Sequence, residues 1–383
     1  MNKINQLWYK SKIIAGIATR RYTTGPLWAV VSIVDACNYR CIMCWEHSSE
    51  VEGWGADKMY RDYHKEKKNK TVVMDYGMYK ECVKSLSLLG TRSLGLHGIG
   101  EPLMHNRIIE AIAFAKSLGM KVEISTNGAL LTHDLIKDLI DAGLDQINIS
   151  LNAGTNNEYQ KVHPNQNEDR LNSIIENLIW LKEYKKNKFA SPIISLSNVI
   201  SNINFSSCVK MMDIGIKVGA QTVSFRPVTT FQEIEKFALS KNDLKVMAHS
   251  LENVNAIARK YGISTNINEF NQLILLRSAK YIPAPCFVGA WLSTMIMANG
   301  DVIYCCNSRK VIGNVGESSF ESIWFSIDRY GLNDKALQIH KTQTSLPNSR
   351  CIDCEQSLLN NQIYSKCKQL WGKAVPYKSI TFN

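Results

Sequence analysis

Six short apolar runs, each followed by a stretch of helical periodicity, occupy the first 230 or so residues and leave few folds open to the chain. They are LWAVVSIV (27–34), RSLGLHG (92–98), KVEIST (121–126), DQINISL (145–151), PIISLSNVI (192–200) and QTVSFRP (221–227). Strands that alternate with helices are joined by crossovers, which make them parallel and cover them with helices. Two of the intervening stripes have clear stops: Ile108, Ile109, Ile112 and Ala115 lead to Gly119, and Leu135, Ile136, Leu139 and Ile140 lead to Gly143. Right-handed crossovers roll six such units into an α/β fold, a partial (β/α)6 TIM-like barrel of parallel strands open at one side. Its working face is expected at the C-terminal ends of the strands, as in complete barrels.

Three cysteines, Cys37, Cys41 and Cys44, follow the first run in the order C-x-x-x-C-x-x-C, in the loop that opens onto that face. An iron-sulfur cubane takes one thiolate per iron, so three thiolates leave one iron free to bind a small molecule, whereas four would seal the cluster for electron transfer. The chain has 11 cysteines and no recognisable export signal, since the apolar stretch IIAGIA near the front is too short for a signal core or a membrane span. The expectation is a cytoplasmic protein with reduced thiols, in which clustered cysteines are metal ligands.

Residues 3–20 suit a basic amphipathic helix, with Ile4, Leu7, Trp8, Ile14 and Ile17 on one side. Packing on the protein's own barrel is the first reading, and weak peripheral contact with a membrane the second. The chain carries 45 Lys and Arg against 34 Asp and Glu, a formal +11, which favours anionic partners. Two bound clusters would lower this to about +8, so no specific nucleic-acid partner is expected. A basic insertion, WGADKMYRDYHKEKKNKT (54–71), is by default a solvated excursion; a lid over an anionic substrate is the functional alternative.

Beyond a helix at about 242–261 the character changes. LSTMIMANGDVIYCC reads as two strands joined by a two-residue turn at Asn299-Gly300. The expected organisation is an N-terminal extension (1–26), a barrel (27–240), a linker helix region (241–279) and a small cysteine-bearing domain (280–383).

Four stretches in order, the cysteine motif, HGIGEP (97–102), STNG (125–128) and ISLNAGT (149–155), resemble the radical S-adenosylmethionine (SAM) superfamily over about residues 30–230. The resemblance implies a [4Fe-4S] cluster on Cys37, Cys41 and Cys44, whose open iron is chelated by the amino and carboxylate groups of SAM. Reduction would then release methionine and a 5′-deoxyadenosyl radical, with a flavodoxin or ferredoxin as electron source. Glu101 would accept a hydrogen bond from the SAM ammonium, and Gly98 and Gly100 would allow close approach of the backbone. Ser125, Asn127 and Ser150 would hold the methionine carboxylate and ribose, unless Ser125 and Asn127 serve only the turn. Met43 would lie by adenine. His163 stands where relatives often carry an arginine on the SAM carboxylate, which puts that contact in question.

Cys286, Cys305, Cys351 and Cys354, with IGNV (312–315) and FESIWFS (320–326), resemble the SPASM/twitch extension of the same superfamily. Asn360 occupies a position where a full SPASM domain has a further cysteine, so one auxiliary [4Fe-4S] cluster on these four thiolates is expected, two clusters in all. Cys306 could replace Cys305, Cys367 is a fifth candidate, and the spacing also permits a structural zinc.

The leading expectation is hydrogen abstraction from a sugar- or cyclitol-like, phosphorylated or otherwise anionic small molecule. The auxiliary cluster would take the remaining electron, making the enzyme an oxidoreductase. His97 and Arg226, at strand tips, are candidates for the base that takes the hydroxyl proton, or are structural. The alternative is maturation of a ribosomally made peptide by thioether or carbon-carbon crosslinking or by epimerisation, in which an unligated Cys208, Cys306 or Cys367 would return hydrogen. The stretch before strand one, about 27 residues, is short for the leader-binding domain of such maturases. An electron carrier or scaffold is the non-enzyme alternative, and the Glu101 and STNG motifs argue against it.

Overall fold

A computed structural model describes residues 11–371 apart from 13, 20–21, 52–54, 56–57, 67–70, 189–191 and 230–231. The six expected strands form as β1 (Trp28–Val31), β2 (Ser93–Leu96), β3 (Lys121–Thr126), β4 (Gln146–Ser150), β5 (Ile193–Ile200) and β6 (Thr222–Pro227). They lie side by side in that order and all pair in parallel, from Trp28 opposite Ser93 to Ile200 opposite Pro227.

Twelve helices are used below for reference: α1 (Lys58–Glu66), α2 (Tyr76–Leu88), α3 (Ile108–Ser117), α4 (His133–Asp141), α5 (Asn156–Val162), α6 (Arg170–Lys188), α7 (Cys208–Val218), α8 (Lys241–Tyr261), α9 (Ile267–Ser278), α10 (Phe320–Trp324), α11 (Ile327–Thr342) and α12 (Ser357–Trp371). The stop signals act as expected, since Gly119 and Gly143 carry φ of +75° and +85° just past α3 and α4. Ile108, Ile112 and Ala115 of α3, and Ile136 and Leu139 of α4, are buried in the main core with Leu94, Leu96, Val122, Ile124, Ile147 and Ile149. The helix-side face of the sheet is therefore mostly apolar, with Thr126, Asn198 and Phe225 near the strand ends. Residues of the other face line an open lumen.

The sheet does not stop at six strands. A two-residue β7 (Ser264–Thr265) pairs with β6, and on the far side β8 (Ser293–Ile296) runs parallel to β1, Trp28 opposite Ser293. Strands β9 (Asp301–Ile303) and β10 (Val311–Asn314) continue it antiparallel, giving ten strands in the order β10-β9-β8-β1-β2-β3-β4-β5-β6-β7. The barrel stays open between β7 and β10.

The β8–β9 hairpin forms, but its connection differs from the expected two-residue turn. Met297 N–H donates to Asp301 O at 2.8 Å and Gly300 N–H to Met297 O at 2.9 Å, enclosing the three residues Ala298, Asn299 and Gly300. Gly300 has φ +90°, while Asn299 is not among the residues with positive φ, so this is a turn closed by a glycine bulge.

The described part of the N-terminal extension lies on the protein itself. Ile17 is buried in the main core and Ile14 is exposed, while Ile4, Leu7 and Trp8 fall outside the described residues. Tyr22 packs against Trp324 and Tyr330 at ring separations of 5.2 and 4.9 Å. Among the described residues no helix is long and apolar enough to cross a membrane.

Candidate active site

The loop after β1 is braced before any ligand enters. Arg40 Nη2 donates to Ser48 O at 3.1 Å and Val51 O at 3.2 Å, and Ser48 Oγ donates to Ile42 O at 2.7 Å. Backbone amides are aimed at two of the three sulfurs. Tyr39 N–H lies 3.4 Å from Cys37 Sγ, and Glu46 and His47 N–H lie 3.4 and 3.2 Å from Cys44 Sγ. Burial pushes the Cys37 thiol up to about 12 and raises Cys41 and Cys44 as well, with the neighbouring sulfurs adding to the effect at Cys37 and Cys41. Buried thiols with this reluctance to ionise need a cationic centre to hold them as thiolates, and amide donors suit charged sulfur. Among the described residues no group of three or more His, Cys, Asp or Glu has the spacing of a single metal ion.

The HGIGEP turn docks onto this loop by its backbone. Glu101 N–H donates to Ala36 O at 2.8 Å, and a Cβ on Gly100 would lie 2.2 Å from that same oxygen. Gly98, with φ +148°, would set a Cβ 2.6 Å from that of Ser32. Both glycines are therefore required by close packing. Ile99, the departure in the motif, points the other way, into a cluster with Val30, Tyr63, Met295, Met297 and Ile303. The buried Glu101 carboxylate accepts from Thr126 Oγ1 at 2.6 Å and Leu103 N–H at 3.0 Å on one oxygen, and from Asn127 N–H at 2.8 Å on the other. Burial raises its pKa against these donors. Three bonds leave room for one more donor on the second oxygen.

Asn127 extends the link, since its Nδ2 donates to Asn38 Oδ1 at 2.8 Å, beside Cys37. Ser125 Oγ accepts from Asn148 Nδ2 at 2.8 Å on the lumen face, and Ser150 stands at the tip of β4 opposite Ser197. His97 also faces the lumen, its Nε2 3.8 Å from Glu123 Oε1, with both side chains partly exposed. Gly95 makes the space for this pair, because its Cβ would meet His97 Nε2 at 2.6 Å and Glu123 Oε1 at 3.4 Å. Glu123 escaped the sequence reading, though strand alternation places it on the same face as Ser125. Met43 is buried in a cluster with Ile42, Tyr60, Val162 and Val228, against which Val199 near the end of β5 packs.

Two expected roles change. His163, placed by analogy at the SAM carboxylate, is fully buried, its Nδ1 3.0 Å from Cys41 Sγ and its Nε2 3.4 Å from Leu151 O. Burial pulls its pKa down to about 4, so the ring is neutral. Arg226 is unsuited as a base, because a guanidinium offers only donors and this one is committed to Glu355 at 2.8 Å.

Glu355 adjoins Cys354, so this ion pair sets the second cysteine group beside the lumen at β6. Cys305 lies in the electrostatic field of Cys306, Cys286, Cys354 and Cys351, and Cys354 in that of Cys306, Cys286 and Cys351. Burial raises all five thiols, Cys286 and Cys306 to about 11, so both Cys305 and Cys306 face the group. Gly289 N–H lies 3.4 Å from Cys286 Sγ and Leu346 N–H 3.4 Å from Cys351 Sγ. Cys306 is exposed and also faces Glu355, Arg226 and Arg309. Cys82, Cys208 and Cys367 are buried in the main core. Asn360 caps the turn after Cys286, accepting from Phe287 and Val288 N–H at 2.8 and 2.9 Å.

The basic insertion is no solvated excursion where it is described. Its helix α1 lies across the loop after β1, with Tyr60, Tyr63 and His64 buried. His64 Nε2 meets Glu46 Oε2 at 2.6 Å, and Arg309 Nη2 donates to Glu46 Oε1. The Arg309 guanidinium sits 4.3 Å from the Tyr60 ring centre. Lys67 to Lys70 lie outside the described residues.

Comparison with known proteins agrees with this geometry. Residues 31–214 match the model of the radical SAM superfamily, and residues 286–355 that of the SPASM iron-sulfur cluster-binding domain. An uncharacterized protein of Methanocaldococcus jannaschii is 33% identical over 116 residues, 27% of this chain and 40% of that protein. The tungsten-containing aldehyde ferredoxin oxidoreductase cofactor-modifying protein of Pyrococcus furiosus is 28% identical over 125 residues, 32% of this chain and 30% of that protein. The chain thus matches less than half the length of either relative. Streptococcus suis SuiB, solved bound to precursor peptide SuiA, shares the fold with a TM-score of 0.60 at 14% identity, covering 86% of this chain and 72% of SuiB. The three-cysteine loop, the glycine-dependent turn beneath it and the two family matches together make this chain a member of the radical SAM superfamily with a SPASM domain.

Proposed function

We propose that this radical SAM enzyme oxidises a hydroxylated, anionic small molecule held in the lumen, taking one hydrogen atom from carbon, one proton from the hydroxyl and one electron. The observation that carries the reading is that two cysteine groups flank one polar lumen, the first after β1 and the second against β6 through Glu355 and Arg226. Cys37, Cys41 and Cys44 would hold a [4Fe-4S] cluster with an open iron, and Cys286, Cys305, Cys351 and Cys354 a closed one. When bound, SAM and these clusters supply the 5′-deoxyadenosyl radical that removes hydrogen and the acceptor for the electron left behind.

The chain's own residues do the rest. Glu101 would hold the SAM ammonium, with Gly98 and Gly100 keeping the backbone close. Ser125, Asn127 and Ser150 offer donors and acceptors to the methionine and ribose groups. His97, beside Glu123, receives the hydroxyl proton. Eleven free cysteines suit a cytoplasmic enzyme served by a flavodoxin or ferredoxin.

A second reading, modification of a ribosomally made peptide, is favoured by the fold shared with peptide-bound SuiB and by the exposed thiol of Cys306. Anaerobic reconstitution with iron and sulfide, followed by dithionite and SAM, should yield 5′-deoxyadenosine and methionine. A fully loaded protein that releases neither overturns both readings and leaves an electron carrier. Deuterium transfer into 5′-deoxyadenosine from labelled polyols, as against labelled peptides, separates the two enzymes.

A further inference from the structure

Two independent clamps fix the distance between His163 and Cys41. The first is in the backbone, where Ile42 N–H, next to Cys41, donates to Val162 O, next to His163, at 3.0 Å. The second is aromatic. The imidazole lies 5.2 Å from the ring of Tyr39 and 4.5 Å from that of Tyr159, and the hydroxyls of these tyrosines share a 2.7 Å hydrogen bond. The ring therefore has no freedom to leave the sulfur. A metal-bound thiolate can only accept, so Nδ1, 3.0 Å from Cys41 Sγ, must carry a hydrogen.

We propose that His163 donates a hydrogen bond from Nδ1 to the Cys41 thiolate and so raises the reduction potential of the three-cysteine cluster. The role rests on Cys41 being a ligand of that cluster. A hydrogen bond to a ligating sulfur withdraws negative charge from it and favours the reduced, more negative state. The donors on Cys44 are backbone amides, which substitution leaves in place, and Cys37 has the Tyr39 amide together with the Asn127 side chain; on Cys41 the donor is the His163 side chain. His163 is accordingly a positioning residue that acts through sulfur; in the neutral ring the Nδ1 hydrogen goes to sulfur, and the unprotonated Nε2 lies 3.4 Å from Leu151 O without donating to it.

The test is a redox titration of the reconstituted holoenzyme followed by electron paramagnetic resonance, on wild type, His163→Asn, His163→Gln and His163→Ala. An asparagine amide nitrogen can take the place of Nδ1, whereas a glutamine amide reaches the place of Nε2. The expected result is a midpoint near wild type for H163N and a lower one for H163Q and H163A. Equal midpoints in all four proteins, or an equal shift in all three variants, overturn the role. Should the variants lose iron, wild type carrying 15N-histidine provides the second reading. Electron-nuclear double resonance of the reduced cluster should show a histidine coupling, and its absence overturns the role. A wild type with no reduced-cluster signal sensitive to SAM overturns the cluster assignment itself, and the role with it.

Discussion

The guanidinium of Arg309 grips the carboxylate of Glu46 from 263 positions further along the chain, and the two side chains are only 4% and 5% exposed. Glu46 follows Cys44 by two residues and Arg309 follows Cys305 by four, so one buried ion pair ties the two cysteine loops together. Removing one partner strands a buried charge, and Arg309→Met or Glu46→Gln should each cost about 3–5 kcal/mol in denaturant unfolding. The double variant should cost clearly less than the sum. Simple additivity would show that the pair is not coupled.

Gly100→Ala should uncouple the HGIGEP turn from the cysteine loop, because the new methyl meets Ala36 O and Val34 O at 2.2 and 2.6 Å. Overpacking of this kind costs about 1–3 kcal/mol. Iron bound per chain after reconstitution should fall to what the second cysteine group retains, with at least a tenfold loss of 5′-deoxyadenosine. Gly119→Ala is the control: it has positive φ but no atom within 4 Å, and its iron content should match wild type.

Asn360→Ala removes the acceptor of two buried amides, those of Phe287 and Val288. Each unsatisfied amide costs about 1–3 kcal/mol, so unfolding should shift by that order and iron at the second group should become labile to chelators. Asn360→Cys should lose the same cap without raising the iron content above wild type.

Substituting single cysteines should separate the two cysteine groups. Cys41→Ser is expected to abolish 5′-deoxyadenosine formation. Cys351→Ser should still release it while blocking completed oxidation, detected as 5′-deoxyadenosine without ketone product. Equal loss in both variants would show that the second group serves only to fold the protein.

The parts of this protein that could be read from its residues are those whose signal is local. The six parallel strands announce themselves through apolar runs and glycine stops, and the three cysteines through their spacing. What could not be read depends on distant partners. Nothing in the basic, tyrosine-bearing sequence of α1 shows that Arg309 will slide over Tyr60, or that Tyr63 Oη will donate to Asp301 Oδ2 at 3.0 Å. Charge there suggested solvent, and pairing across the fold reversed it. At Asn299-Gly300 the dipeptide was read correctly as a turn, but Met297 and Asp301 close the loop one residue wider. The contact left in question at His163 could not be read further, because a position in sequence says nothing of which way a buried ring faces, here toward Cys41.

Pairing of β8 with β1 makes the cysteine-rich C-terminal segment a structural neighbour of the very strand that launches the first cysteine loop. A protein trimmed before residue 280 would bare the outer edge of β1 as an unprotected template for intermolecular pairing. The accessory module is thus no detachable bead. Engineers who graft it onto other barrels must supply a matching first strand, and a hinge that swings one cysteine group away from the other would first have to tear this sheet.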